Sequence, residues 1–240
     1  MIKIGISSGH NADNPNSSPD GTLKEWEVNL KIKLKIAQRL KINGFEYIDL
    51  NPDRYGYDLK DRADIANYNN VDAVFAVHCN ALKGKYGTWG GIETFAHNLA
   101  PERGGKLLAK TIHNRLIGGT PLIDRGVKYA DFAILRLTKA PAALGELAFM
   151  DNKKEQELLL SENYQNECAT EIVQGLCDYF KKIYKPFNTD LDYKTKYENL
   201  KKIHTNLDNE NKNNINKLNK IKDYLNKQVK EMDYVSRKYF

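Results

Sequence analysis

The sequence predicts an α/β fold: a three-layer αβα domain around a mostly parallel, twisted sheet, followed by a long C-terminal helix. Three observations lead there. Strand-like and helix-like segments alternate through residues 1–185, the signature of helices packed on a parallel sheet. Hydrophobic residues make up 41% of the 240 and charged residues 28%, enough to build a core and too apolar for a disordered chain. Composition then breaks at Pro186. All sixteen glycines, both tryptophans and all seven prolines lie at or before it.

Taken in order, residues 2–7 (IKIGIS) form the first strand-like run. The segment 24–42 is ambiguous. Val28, Leu30, Ile32, Leu34 and Ile36 alternate as a strand would, yet Leu30, Leu34, Ala37 and Leu40 form a helical stripe. Its length, its helix-forming residues and Gly44 as a C-terminal cap decide for helix. Strand-like runs follow at 45–50, 71–78, 91–96 and 141–149, and helix-like runs at 58–69, 101–117 and 155–184.

Residues 186–240 form the second segment, and beyond Pro186 they contain neither Gly nor Pro. Thr189 or Asp190 is a plausible N-cap for one long helix. Steps of four and three from Tyr193 reach Tyr197, Leu200, His204, Leu207, Asn211, Asn214, Leu218, Ile221, Leu225, Gln228, Met232, Val235 and Tyr239. Ten of these fourteen positions are apolar or aromatic, which predicts a coiled coil and self-association. Asn211 and Asn214 in the seam would fix register at some cost in stability.

Other classes are excluded or weakened. No apolar run approaches the ~18–20 residues of a membrane span. Cys79, Cys168 and Cys177 are too few and too scattered for a disulfide framework, and read as buried free thiols of a protein made in a reducing compartment. The N-terminus enters strand-like sequence at once, without the apolar stretch of a secretory signal, so the expectation is synthesis in the cytoplasm. The net charge of +6 invites a polyanion. Residues 187–240, however, carry twelve of the 37 basic and eight of the 31 acidic side chains, a net +4. The charge belongs mostly to the tail and is poor support for nucleic-acid binding.

Four residues stand out chemically. His10 follows strand one in Ser8-Gly9-His10, where parallel α/β sheets gather their sites. His78 ends an apolar strand in Val77-His78-Cys79-Asn80; strand alternation puts His78 and Asn80 on one side and Cys79 on the other. Glu25 opens the first helix, where the dipole favours a carboxylate, and Glu27 competes with it for a role. Glu146 sits inside the apolar run 140–149, where an unpaired charge is costly to bury. Two His and one Glu match a catalytic zinc site with its fourth position open to water. A second Glu, not a ligand, then serves as proton shuttle. His97, His113 and His204 have weaker claims.

These residues belong to an ordered set of motifs. It comprises the Gly-His after strand one, Glu25-x-x-x-Asn29-Leu30, Leu59-x-x-Arg62-x-x-x-Ala66-Asn67 and Asp72 leading to Val77-His78-x-Asn80-Ala81. It continues with Gly90-Gly91-Ile92-Glu93-Thr94-Phe95, Asp124-Arg125-Gly126-Val127-Lys128, Pro141-Ala142-x-Leu144-x-Glu146-x-x-Phe149 and Asn152. In this the chain resembles the zinc-dependent N-acetylmuramoyl-L-alanine amidases of bacterial autolysins and phage endolysins (the amidase_3 group), from residue 2 to about 183. The resemblance implies zinc ligands at His10, Glu25 and His78 and a catalytic Glu146, with Glu25 chosen over Glu27 by its spacing to Asn29 and Leu30. It implies cleavage of the amide between N-acetylmuramic acid and L-alanine in peptidoglycan. Ser7-Ser8 before the Gly-His, Asn11 after it, Trp26 and Cys79 depart from the usual pattern; none removes a ligand. The expected setting is a phage or prophage endolysin that reaches the wall after release. The alternatives are a host autolysin of the same chemistry and a non-catalytic wall-binding or scaffolding module.

Overall fold

The computed structural model describes residues 1–52, 56–97 and 104–187, and in the C-terminal stretch residues 210, 212–219, 222–223 and 227. The chain divides into two compact units, Met1–Phe187 and Asn188–Phe240. In the second, residues 212–219 are helical and exposed. Of the fourteen heptad positions only Asn214 and Leu218 are among the described residues, so the expected coiled coil lies outside them.

The first unit is an α/β fold with a mixed six-stranded sheet. Its elements are β1 Lys3–Ser8, α1 Glu25–Ile42, β2 Glu46–Asp49, α2 Leu59–Tyr68, β3 Ala73–Asn80, β4 Ile92–Ala96, α3 Gly105–Gly119, β5 Asp124–Tyr129, α4 Ala133–Leu137, β6 Ala142–Phe149, α5 Lys153–Leu160 and α6 Glu162–Tyr179. The strand order is β2-β1-β3-β6-β4-β5. All neighbours are parallel except β4 and β6, which run antiparallel.

Strand alternation sorts the core onto the two faces. Phe75, Val77 and Cys79 of β3 pack with α1, α3 and α6, whereas Val74 and Ala76 pack with α2 and α4. The same parity puts Leu147 on the first face and Ala142 and Leu144 on the second.

Helix α1 forms where the helical reading put it, but it buries a different face. Val28, Ile32, Ile36 and Leu40, spaced four apart, are at most 2% exposed, while Leu34 of the expected stripe is 52% exposed. Asn29 and Lys33 share the buried face. Lys33 Nζ is satisfied by Asp49 Oδ1 at 2.7 Å and the Asn51 carbonyl at 2.8 Å, as a buried ammonium requires. Gly44 follows the helix with φ +68°, the left-handed turn that favours glycine.

Three elements differ from the sequence expectation. The run 155–184 is two helices, because Ser161 takes an extended conformation (φ −76°, ψ 128°) between α5 and α6. Strand β5 and the short α4 were not anticipated. The β5 sequence, Asp-Arg-Gly-Val-Lys-Tyr, has little apolar alternation, and it lies at the sheet edge beside β4 alone.

Candidate metal centre

The strand order reverses beside β1: β2 lies on one side and β3 on the other. Ligands collect at such switch points, beyond the carboxyl ends of the strands. His10 follows the end of β1, and His78 lies near the end of β3. Glu25 is the first residue of α1, whose N-terminus reaches the same place.

These three form a cluster whose candidate ligand atoms all lie within 4.8 Å of one another. His10 Nε2 stands 3.1 Å from Glu25 Oε2, and His78 Nδ1 stands 3.2 Å from Glu25 Oε1. Glu25 is 1% exposed. Burial by itself would raise its pKa, but hydrogen bonds from His10 and His78 and their charge hold the carboxyl well below the ordinary range. Burial opposes protonation of His78, yet Glu25 and the charge of Glu146 raise its pKa.

The surroundings fix these side chains. Glu25 Oε2 accepts a hydrogen bond from Asn16 Nδ2 at 2.7 Å, and Oε1 accepts from Asn29 Nδ2 at 3.1 Å and the Cys79 N–H at 3.0 Å. Asn29 also donates to the Gly9 carbonyl at 3.2 Å. The buried guanidinium of Arg62 ties down the loop carrying His10, donating to Ser8 O (2.7 Å), Ser7 Oγ (3.1 Å) and His10 O (3.1 Å). His10 itself has φ +60°, an uncommon backbone for a non-glycine residue. A Cβ on Gly9 would meet the His78 ring at 2.3 Å, so glycine lets the β1 turn and the imidazole share this space.

Glu146 pairs with His78 across β3 and β6 and lies on the same face of the sheet. Its Oε2 is buried without a hydrogen-bond partner among the described residues. Burial, with the negative charges of Glu25 and Glu93 and against that of His78, pushes its pKa up to about 7. An orphaned buried carboxylate oxygen beside a ligand cluster calls for a partner that the protein does not itself provide.

Asn11, Asn14, Tyr57, Asp58, Leu59 and Arg62 join His10 and His78 around a cavity of about 390 Å³. The polar loop after His10 therefore does line the groove at Asn11 and Asn14. Further along, Ser18 and Asp20 bind Gln156 of α5.

The structure thus brings together all four residues singled out in the sequence. Cys79 faces the other way, into the α1 side of the core, where its thiol donates to Asn29 Oδ1 at 3.3 Å. All three cysteines are buried free thiols. His113 is held between Thr94 Oγ1 at 3.0 Å and Asp124 Oδ1 at 2.8 Å, a structural place in the core. His97 stands 3.1 Å from Asp131, and His204 lies outside the described residues. The supporting roles of Asn16 and Arg62 were not read from the sequence. Asn29 carried one available signal, its position four residues after Glu25 on a helix.

The profile of the Amidase_3 family, described as N-acetylmuramoyl-L-alanine amidase, matches residues 4–178. The endolysin of Bacillus phage SPP1 is 32% identical over 178 residues, covering 73% of this chain and 65% of that protein. LytC, an N-acetylmuramoyl-L-alanine amidase of Bacillus subtilis, is 28% identical over 74% of this chain but only 35% of its own length. Among solved structures, an N-acetylmuramoyl-L-alanine amidase from Clostridium difficile 630 superposes with a TM-score of 0.72 at 31% identity, covering 75% of this chain and 97% of that one.

Proposed function

The chain belongs to the N-acetylmuramoyl-L-alanine amidase family, and from that premise we propose that it hydrolyses the amide joining N-acetylmuramic acid to the L-alanine of the stem peptide. The observation that carries the reading is the His10–Glu25–His78 cluster beside the orphaned Glu146 carboxylate.

The donor set fits zinc. Two imidazole nitrogens and a carboxylate are its usual catalytic ligands. With one ligand atom from each residue, the three lie within 4.8 Å of one another, compact enough to face a single ion. His10 Nε2, Glu25 and His78 Nδ1 would hold the ion. When bound, zinc polarises the scissile carbonyl and lowers the pKa of its water towards ~7.

The remaining work falls to the chain. Glu146 Oε2 takes the proton of the attacking water and delivers it to the departing amine nitrogen. Asn16 and Asn29 keep Glu25 oriented, and Arg62 keeps the His10 backbone in place.

The setting we infer is that of an endolysin, made in the bacterial cytoplasm and acting on the wall after release; a host autolysin is the alternative. Among the described residues no helix is long and apolar enough to cross a membrane. The heptad of residues 193–239 would associate copies of the chain and raise avidity for a polymeric substrate. A non-catalytic scaffolding role is disfavoured by the retention of His10, Glu25, His78 and Glu146 together.

Mass spectrometry of digested sacculi, with and without a chelator, tests enzyme, bond and metal at once. The expected products are stem peptides with a free alanine amine, lost on chelation. Glycan fragments or cleaved cross-links in their place, or digestion indifferent to chelation, would overturn the reading.

A further inference from the structure

The row of polar side chains at this end of the sheet does not stop at Glu146. Glu93 of β4 pairs directly with Glu146 of β6, so the two share a face. Its side chain is buried, and three groups hold it. Asn80 Nδ2 donates to Oε1 at 2.7 Å, and Oε2 accepts from Arg125 Nε at 2.8 Å and from Lys128 Nζ. Both cations come from the edge strand β5.

One carboxylate thus accepts from two cations, and the charge of Arg125 also acts on the nearby Glu155 carboxylate. Glu93 accepts only from Nε of Arg125, whose Nη1 donates to the Gly90 carbonyl at 3.4 Å, and from one of the three ammonium protons of Lys128. Neither cation is sealed off: the Arg125 side chain is 31% exposed and that of Lys128 40%. Their positions are nonetheless built. The Arg125 guanidinium lies over the Phe149 ring, 4.8 Å from its centroid. At Gly91, with φ +111°, a Cβ would stand 2.9 Å from Arg125 Cγ, so the arginine lies where only a glycine leaves room.

We propose that Arg125 and Lys128, held by Glu93, form a carboxylate-recognition subsite that selects the stem peptide by a free carboxylate downstream of the scissile amide. Adjacent strands lie ~4.8 Å apart, so two strand spacings from Glu146 to β5 span about 10 Å. An extended peptide rises ~3.4 Å per residue, which puts the recognised group two or three residues from the cut bond. The guanidinium fork and the ammonium donate charge-assisted hydrogen bonds to a carboxylate and have no acceptor with which to favour a carboxamide. The proposal rests on the amidase reading above, because that reading supplies the substrate and its direction.

Two measurements test it. The first compares kcat and KM on a synthetic muramoyl-tripeptide whose second residue bears a free carboxylate, and on the same molecule with that group as a carboxamide. The wild-type chain should prefer the acid about tenfold, through KM. Lys128→Gln and Arg125→Gln should bring the acid-to-amide ratio towards one, and Lys128→Arg should restore it. An unchanged ratio in both Gln variants, or no acid preference in the wild type, would overturn the subsite. The second measures equilibrium binding of the two tripeptides to the Glu146→Gln protein, with and without Lys128→Gln. Selective binding of the acid that Lys128→Gln abolishes upholds the subsite even if the wild-type chain cuts no amide, a result that would sink only the amidase reading. Equal binding of acid and amide sinks the subsite alone.

Discussion

A methyl group on Gly9 would stand 2.3 Å from the His78 ring, and one of the two would have to move. Displacing a group at a reacting centre by about 1 Å costs on the order of a hundredfold in rate. Gly9→Ala is therefore expected to lower zinc occupancy and to cut kcat/KM by about that factor; wild-type zinc content and rate would show that the contact does not position His78. The ligand and acid–base roles separate in a second experiment. Glu146→Gln should retain zinc by atomic absorption while kcat falls at least about a hundredfold, and His10→Ala or His78→Ala should lose the metal itself. A fully active Glu146→Gln protein would remove Glu146 from the mechanism. At this scale Glu146 is legible because a carboxylate inside an apolar strand is out of place, whereas His10, His78 and Glu25, the last at home at a helix start, are singled out as a set by the resemblance. The roles of Asn16 and Arg62 are not legible, since an asparagine in a polar loop and an arginine on a helix look the same whether or not they point at a site.

Among the elements, α6 carries a pH-dependent term. Glu171 is only 8% exposed. Burial first, and then the neighbouring Glu167, push its pKa from 4.5 up to about 7, with Arg115 opposing. Between those values the folded chain holds a proton that the unfolded chain has released. The stabilisation is full at low pH and disappears as pH rises towards about 7. Glu171→Gln should therefore gain stability relative to the wild type at pH 8 more than at pH 5, read as the difference in Tm. Equal differences at both pH values would show that Glu171 titrates normally in the fold. The elements themselves were mostly legible, and the exceptions have physical causes. The buried face of α1 was misread because Asn29 and Lys33, polar by type, are satisfied inside by Glu25, Asp49 and Asn51; no periodicity count credits that. The break at Ser161 is a single extended residue amid good helix formers. Strand β5 lacks an apolar pattern because Arg125 and Lys128 face Glu93 and Asp124 faces His113.

For the whole molecule, the compact unit ends at Phe187, and its last residues are fastened to α1. The Lys185 N–H donates to Asn43 Oδ1 at 2.7 Å, and Arg39 lies 4.6 Å from the Phe187 ring centroid. The family match, residues 4–178, lies wholly within it. If the heptad associates copies of the chain as proposed, removing residues 188–240 leaves a folded, zinc-binding, monomeric amidase, and light scattering gives the full chain an oligomeric mass that the shortened chain lacks. Retention of that mass would place self-association elsewhere.

The pairing of His78 with Glu146, and of Glu146 with Glu93, also governs which changes in length the chain can tolerate. Side chains alternate between the faces with a period of two, so one residue inserted within β3 or β6 exchanges the reactive row for the core. Glu146 would be driven into the α1 side and Leu147 out into the groove. The connections at 11–22 and 81–90 carry no such parity. Insertions and deletions should therefore accumulate in those loops, away from Asn16 and its bond to Glu25, while strand lengths stay fixed.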